Sequence, residues 1–200
     1  MSKQQTGLSG ALLKGIEQAS AAASGKKGLP PVEMWNPPFC GDLDMRIAAD
    51  GTWYYMNSPI GRKRLVRLFS TVLRHDEDGK YYLVTPVEKI GISVDDAPFV
   101  AVHMDVEGEG TDQTLTFRTS VGDEVTAGPE HPMRFEEEPG TDGLKPYILV
   151  RGRLEALVNR AIFYDLVARG TLSDHNGEDW FGVWSGGRFY PMAPAGALDL

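Results

Sequence analysis

The chain has 200 residues, of which 42% are hydrophobic and 24% charged, with 23 glycines and 13 prolines, as in a turn-rich globular protein. Its net charge is −8: residues 1–100 carry 12 Lys and Arg against 11 Asp and Glu, whereas residues 101–200 carry 8 against 17. The acidic second half argues against bulk nucleic-acid binding. A single cysteine excludes an intramolecular disulfide, and no apolar run reaches the ~20 residues of a membrane span. We therefore expect a cytoplasmic protein without a membrane partner.

Residues 1–30 are predicted to form a tail that contains a short helix. Leu8, Leu12, Leu13 and Ile16 follow helical spacing. An Ala-, Ser-, Gly- and Lys-rich stretch comes next and reads as a linker. We expect the helix either to pack on a neighbouring element or to fray.

Alternating patterns and turn signals then predict strands along the chain. Asp50-Gly51 marks a hairpin between residues 44–48 and 52–56. Further strands are expected at 81–85, 88–93, 99–106, 114–119 and 147–150, with a last hairpin formed by 180–184 and 188–192.

A helical pattern runs from Ser58 to Arg74. Ser58 suits an N-cap and Pro59 suits the first helical position. The apolar residues between Leu65 and Leu73 fall on one face, and Arg74 falls on the opposite, polar face. This stretch is predicted to be one helix of the first domain.

Three cations, Arg62, Lys63 and Arg64, would lie in the first turn of that helix. Free backbone N–H groups and the helix dipole already favour an anion there. The pattern is therefore consistent with an anion site, and a solvated basic face is the alternative interpretation.

A second helix is predicted from Arg153 to Arg169, with Gly170 as the residue after its end. Both predicted helices open with a Gly-Arg pair, Gly61-Arg62 and Gly152-Arg153. Each follows an aromatic strand and precedes an acidic, Gly-containing turn and a hairpin. This strand–helix–hairpin order indicates an internal duplication, with chance similarity as the alternative.

The fold class is therefore α+β, with two small mixed domains. Residues 31–97 are predicted to form an N-terminal α+β domain. Residues 98–200 are predicted to form a β-rich C-terminal domain with one long helix.

No motif identifies a catalytic centre. Asp42 and Asp44 could act as an acid–base pair or bind a metal, but a solvated or Arg46-paired edge fits them better. Cys40 is expected to be a packed thiol rather than a nucleophile. Glycine-rich phosphate-binding fingerprints are absent from the sequence. No catalytic residue, metal ligand or cofactor is assigned, and the sequence favours a protein that is not an enzyme.

Several long motifs in the first half resemble a known family. They are Cys40-Gly-Asp-Leu-Asp-Met-Arg-Ile, Asp50-Gly-Thr-Trp-Tyr-Tyr, Ser58-Pro-Ile-Gly-Arg, Leu65-Val-Arg-Leu-Phe-Ser and Tyr81-Tyr-Leu-Val-Thr-Pro-Val-Glu-Lys-Ile-Gly. This pattern, together with Arg188-Phe-Tyr-Pro near the end, resembles the bacterial domain-of-unknown-function family 1285. The resemblance implies a duplicated core whose second domain is superficially like a pleckstrin-homology fold. It also implies a nucleotide-like ligand at the domain interface and a signalling role, with no established activity.

The predicted ligand site combines the two helix starts. In this hypothesis Arg62, Arg64 and Arg153, with Arg46 and Lys89, hold phosphate groups. The same site includes Ser58, Gly61 and Gly152 beside those cations, and Trp53 as a ring that stacks a base or, alternatively, packs in the core. The leading function is thus a module that binds a nucleotide-like or other anionic ligand in bacterial signalling. A protein-interaction module is the alternative, and an enzyme of unknown type ranks third.

Overall fold

The computed structural model describes residues 10–24, 28–141 and 143–197. These residues form two compact units. Unit 1 comprises the described residues up to Pro98 together with Gly152–Leu154, and unit 2 comprises Phe99–Arg151 and the described residues from Glu155 onward. No helix within the described ranges is long and apolar enough to cross a membrane.

The helices of the described chain are short. There are three α-helices within those ranges: α1 (Gly10–Ser24), α2 (Lys63–Thr71) and α3 (Arg160–Ala168). Single 3-10 turns occur at Val32–Met34, Gly110–Asp112 and Ala195–Ala197.

Unit 1 is built on a six-stranded sheet. Its strands are β1 (Phe39–Ile47), β2 (Trp53–Tyr55), β3 (Ser58–Pro59), β4 (Leu73–His75), β5 (Tyr81–Val84) and β6 (Lys89–Val94). Their order is β3-β2-β1-β6-β5-β4, and the central pair β1–β6 is parallel with Ile47 opposite Val94. The predicted hairpin around Asp50-Gly51 and the predicted strand pair that became β5 and β6 are confirmed.

Unit 2 contains a second six-stranded sheet. Its strands are β7 (Phe99–Glu107), β8 (Thr114–Thr119), β9 (Glu124–Thr126), β10 (Met133–Glu137), β11 (Leu144–Arg151) and β12 (Leu154–Val158). Their order is β10-β11-β12-β7-β8-β9, and the central pair β12–β7 is parallel, with Ala156 opposite Phe99. The predicted strands at 99–106 and 114–119 are confirmed as β7 and β8.

The two sheets have the same topology. Read from its other edge, the second sheet has the order β9-β8-β7-β12-β11-β10, in which every strand number is six higher than at the same place in the first sheet. In each sheet the first and last strands along the chain pair in parallel at the centre. This correspondence supports the predicted duplication in an α+β fold. The pleckstrin-like character of the second domain stays a prediction.

A three-stranded antiparallel sheet completes unit 2. It contains β13 (Thr171–His175), β14 (Glu178–Ser185) and β15 (Arg188–Pro194) in that order. The predicted last hairpin is confirmed, because Gly186 and Gly187 form the β14–β15 turn with φ of +57° and +71°.

The predicted N-terminal helix is confirmed as α1, which packs within unit 1, but the linker prediction is wrong for residues 19–24 because α1 continues to Ser24. Leu12, Ile16 and Ala19 are buried, and the Ser20 and Thr71 hydroxyls lie 2.9 Å apart between α1 and α2. The first apolar position of the predicted pattern, Leu8, lies outside the described residues.

The prediction of one helix from Ser58 to Arg74 is wrong at both ends. Met56 and Asn57 have φ of +49° and +59°, so they make a tight turn that places Ser58 opposite Tyr55 in a strand pair. The backbone of Ser58 is therefore committed to the sheet, and α2 begins five residues later with Arg62 as its N-cap and no side-chain capping bond.

The prediction of one helix from Arg153 to Arg169 is wrong in its first half. Leu154, Ala156 and Val158 are buried in alternation, which is the period of a strand, and β12 pairs with β7 along the sheet centre. The helix begins only after Asn159, whose side chain accepts a 2.9 Å hydrogen bond from the Ile162 N–H. Gly152-Arg153 therefore connects two strands, and the expected likeness of the two Gly-Arg helix starts does not exist.

Candidate functional site

Two of the predicted phosphate-binding cations, Arg62 and Arg64, lie exposed at the start of α2. With Lys63 and Arg67 they make no ion pair with any residue in the described ranges. Gly61, just before them, has open space around its Cα. The basic start of α2 is thus exposed, and none of its residues lines either of the two cavities described below.

The other predicted cations are paired with carboxylates. Arg46 forms a salt bridge with Asp95 and lies 4.8 Å from the centre of the Tyr54 ring. Lys89 lies 3.1 Å from an Asp76 carboxylate oxygen and 4.4 Å from the centre of the Tyr82 ring. These contacts occupy both side chains and do not bring them to the start of α2.

Trp53 lies in the core of unit 1. Its side chain is 1% exposed and stacks on Phe69 with ring centres 6.2 Å apart. This is the core position that was the alternative to stacking on a base. Its indole N–H is buried without a hydrogen-bond partner.

The expected packed thiol is wrong. Cys40 is exposed, and its Sγ donates a 3.4 Å hydrogen bond to the Pro38 carbonyl oxygen. Asp42 and Asp44, on the same strand, are exposed as well. Across residues 10–24, 28–141 and 143–197, no group of three or more His, Cys, Asp and Glu side chains could hold a metal ion.

Unit 1 contains an open cavity of about 490 Å³, which we call the acidic cleft. It is lined by Glu33, Met34, Trp35, Asn36, Arg74, His75, Asp76, Glu77, Asp78 and Arg153. Of the predicted site residues, only Arg153 lies in it. Arg153 forms a 2.7 Å salt bridge with Glu77, and its carbonyl oxygen lies 3.2 Å from Nδ1 of His75.

Gly152 supports the same cleft through its backbone. It has a φ of +52°, and a Cβ at this position would lie 2.6 Å from a carboxylate oxygen of Glu33. The left-handed conformation favours glycine here, whereas the flexible Glu33 side chain could move away from a Cβ. A phosphate contact is not needed to explain its presence.

The acidic cleft is organised by Arg74, which the sequence analysis placed on a solvent-facing helix surface. Arg74 lies instead in β4, where only 7% of it is exposed. Its guanidinium donates to Asp76 at 2.5 and 3.0 Å and to the carbonyl oxygens of Val32 and Trp35 at 2.8 and 2.7 Å. The signal that could have identified it is an arginine directly after the apolar pair Val72-Leu73 and two residues before an aspartate.

Hydrogen bonds lower the pKa of two carboxyl groups of the cleft, Asp76 and Asp78. Partial burial raises the pKa of Asp76, but hydrogen bonds from Arg74 and Lys89 outweigh it and bring the pKa below its usual value. A 2.6 Å hydrogen bond from Tyr82 lowers the pKa of Asp78. The same bond raises the pKa of Tyr82 to about 12.

Unit 2 contains a larger cavity of about 630 Å³, which we call the apolar groove. It lies between the β10–β11 hairpin, the end of β12 and the start of α3. Its lining residues are Glu138, Thr141, Gly143, Leu144, Lys145, Pro146, Leu157, Val158, Asn159, Arg160, Phe163 and Tyr164. None of them was among the predicted site residues.

The polar side of the apolar groove is set by the start of α3. Nε of Arg160 donates a 2.9 Å hydrogen bond to the Tyr164 hydroxyl, which raises the pKa of Arg160 and keeps it charged. Tyr164 is 57% exposed, so its ring faces solvent beside the groove. An asparagine directly before a helical pattern is an N-cap signal. Because the helix was predicted to begin at Arg153, Asn159 fell inside it and was not recognised as its cap.

Two family models cover most of the chain. The DUF1285 N-terminal domain, a domain of unknown function, matches residues 30–97. The DUF1285 C-terminal domain, from a protein of unknown function, matches residues 98–192. The chain belongs to the DUF1285 family. The resemblance inferred from the sequence motifs is thereby confirmed.

A solved structure agrees with this assignment. A crystal structure of a DUF1285 family protein from Silicibacter pomeroyi DSS-3 is 49% identical, covers 94% of this chain and 98% of its own, and has a TM-score of 0.84. A DUF1285 family protein from Shewanella baltica OS155 is 25% identical, covering 64% of this chain and 92% of its own, with a TM-score of 0.49. None of the curated proteins matches the chain. DUF1285 membership therefore provides a relative of known structure. The two cavities are the features of this chain from which a ligand can be inferred.

Proposed function

We propose that this DUF1285 protein binds a small molecule that has an apolar body and one anionic group, and that the apolar groove of unit 2 is the binding site. The observation that carries the proposal is the groove itself. Its volume of about 630 Å³ lies within the ~300–1,000 Å³ range of small-molecule pockets. Apolar side chains form much of its lining, which is the usual composition of such pockets.

Leu144, Pro146, Leu157 and Phe163 offer the apolar contact surface. Pro146 is buried and the other three are half-buried. A ligand that covers their exposed parts would gain about 25 cal/mol for each Å² removed from water. Phe163 would add offset stacking if the ligand carries a ring.

Arg160 supplies charge selectivity. It lines the groove at the start of α3, where the positive end of the helix dipole also favours an anionic group. A carboxylate or phosphate would therefore be favoured beside Arg160, whose guanidinium can bind it bidentately. Nucleotides and cyclic nucleotides satisfy both requirements, an aromatic body and an anionic group, and a signalling role in the cytoplasm would follow from such a ligand.

The test is a thermal-shift screen followed by calorimetric titration. Adenosine and guanosine monophosphates, cyclic nucleotides and dinucleotides are compared with inorganic phosphate and sulfate. A ligand at 100 times its Kd should stabilise the protein by about 2.7 kcal/mol. We expect a shift with a molecule that has both an apolar body and an anionic group, and none with phosphate or sulfate alone.

Two exposed arginines of α3 provide a matched pair of variants. Arg160→Gln removes the cation in the groove, whereas Arg169→Gln removes a cation at the other end of the helix. We expect the first to weaken binding about tenfold and the second to leave it unchanged. Equal affinities for the two variants would place the ligand elsewhere.

A protein-interaction module is the second candidate function, and β13 is the observation that favours it. This strand lies at the edge of its sheet, and Leu172 on it is 54% exposed. An extended partner segment could add to this edge as a further strand. In that case Leu172→Lys should abolish partner binding and change the free energy of unfolding by less than about 0.5 kcal/mol.

A further inference from the structure

We propose that the acidic cleft of unit 1 binds a small organic cation with an ammonium or guanidinium group. This second site is independent of the apolar groove and takes a ligand of the opposite charge. The cleft is a cavity of about 490 Å³, large enough for a small amine with its hydration shell partly removed.

Ion pairs within the acidic cleft do not neutralise all of its carboxylates. Arg74 and Lys89 are both bound to Asp76, and Arg153 is bound to Glu77. Both arginines of the cleft are thus committed to carboxylates, which leaves neither as an anchor for a phosphate. Glu33 and Asp78 make no ion pair within the described part of the chain, although Tyr82 holds Asp78 in place. Two carboxylates therefore remain for a ligand cation, Asp78 in a fixed position and Glu33 on an exposed side chain.

An aromatic wall provides the second element of a cation site. Trp35 is half-buried and lines the cleft next to Glu33. Indole is the side chain that attracts a cation best through its ring face, and the attraction grows when the cation is partly desolvated. A carboxylate beside an indole therefore favours an organic cation over a strongly hydrated metal ion.

The walls of the cleft are held in position by a buried group. The Arg74 guanidinium binds the carbonyl oxygens of Val32 and Trp35 on one wall and the Asp76 carboxylate on the other. The segment that carries Trp35 is therefore fixed relative to the turn that carries Asp78. A site that is ordered before the ligand arrives loses less entropy on binding.

The test is a titration with agmatine, which carries one ammonium and one guanidinium group, followed through the backbone amide resonances of the full chain. We expect shifts at residues 33–36 and 75–78. Glu33→Gln should weaken agmatine binding about tenfold. Asp44→Asn, which removes an exposed carboxylate elsewhere in unit 1, should leave it unchanged.

Two further arms separate this site from the apolar groove. Trp35→Leu should weaken agmatine binding, whereas Arg160→Gln should not affect it. Adenosine monophosphate should leave the resonances of residues 33–36 unshifted. The proposal is overturned if agmatine does not shift these resonances, if adenosine monophosphate shifts them, or if Glu33→Gln and Asp44→Asn weaken binding equally. Should Trp35→Leu fail to fold, the exposed position of Glu33 leaves the Glu33→Gln comparison decisive.

Discussion

Arg74 connects two segments of unit 1, residues 32–35 and 74–76, through one guanidinium group. Its partners Val32 and Trp35 lie 42 and 39 residues away along the chain, and Asp76 lies two residues away. Breaking such a group costs more than losing one hydrogen bond, because the carbonyl and carboxylate oxygens left behind are partly removed from water. The charge of Asp76 would then be balanced by Lys89 alone.

We predict that Arg74→Ala lowers the free energy of unfolding by about 3 kcal/mol. The measurement is equilibrium unfolding in urea. Arg67→Ala serves as the control, because Arg67 is an exposed arginine of α2, and it should change the free energy by less than about 0.5 kcal/mol. Similar losses in the two variants would show that Arg74 is not the organising group of the acidic cleft.

Among the secondary-structure elements, α2 and α3 differ in how their first turns are capped. The side chain of Asn159 accepts a hydrogen bond from the Ile162 N–H and satisfies one donor of the first turn of α3. Helix α2 has no side-chain cap, and Ser58, which the sequence suggested for that role, pairs with Tyr55 in the sheet. A strand pairing therefore overruled the local sequence preference at the start of α2. The predicted start of the second helix was seven residues too early.

We predict that Asn159→Ala destabilises the protein by about 1 kcal/mol because α3 loses its cap. Ser58→Ala, at the residue with the matching sequence signal and no capping role, should cost less than about 0.5 kcal/mol. Urea unfolding of both variants measures the difference. A larger loss for Ser58→Ala than for Asn159→Ala would contradict the helix boundaries described above.

In both six-stranded sheets, strands at the same place in the strand order are either central or at an edge. The parallel pairs β1–β6 and β7–β12 are central, and β3 and β9 are edges at equivalent places. Central strands are hydrogen-bonded on both sides, so their amides open only with large parts of the unit. Edge strands open with a smaller loss of contacts.

We predict that amide hydrogen exchange is slowest in β1, β6, β7 and β12, and faster in β3 and β9. The measurement is hydrogen–deuterium exchange of the full chain, followed by mass spectrometry or NMR. Because the two sheets are duplicates in topology, the same ranking should be found in each. Protection of β3 or β9 equal to that of the central strands would refute this ranking.

Much of the fold could be predicted because its signals are local. Hairpins such as the one at Asp50-Gly51 depend on turn residues and alternation within about ten positions, and they were identified correctly. The α+β class, the duplication and the family motifs were also readable from neighbouring residues. Helix boundaries failed where a segment satisfied both periods, as at Leu154–Val158, because the choice of strand depended on pairing with β7, more than 50 residues earlier.

The two cavities could be located only from tertiary structure. The acidic cleft combines residues 33–36 with 74–78 and Arg153, and the apolar groove combines the 138–146 hairpin with the start of α3. Composition did reveal a net charge of −8 and an acidic second half. It could not reveal that Arg74 is buried or that Arg153 is paired, because both depend on partners brought together by the sheets. Pairing between distant segments decides which charges are neutralised, and thereby which ligands each cavity can accept.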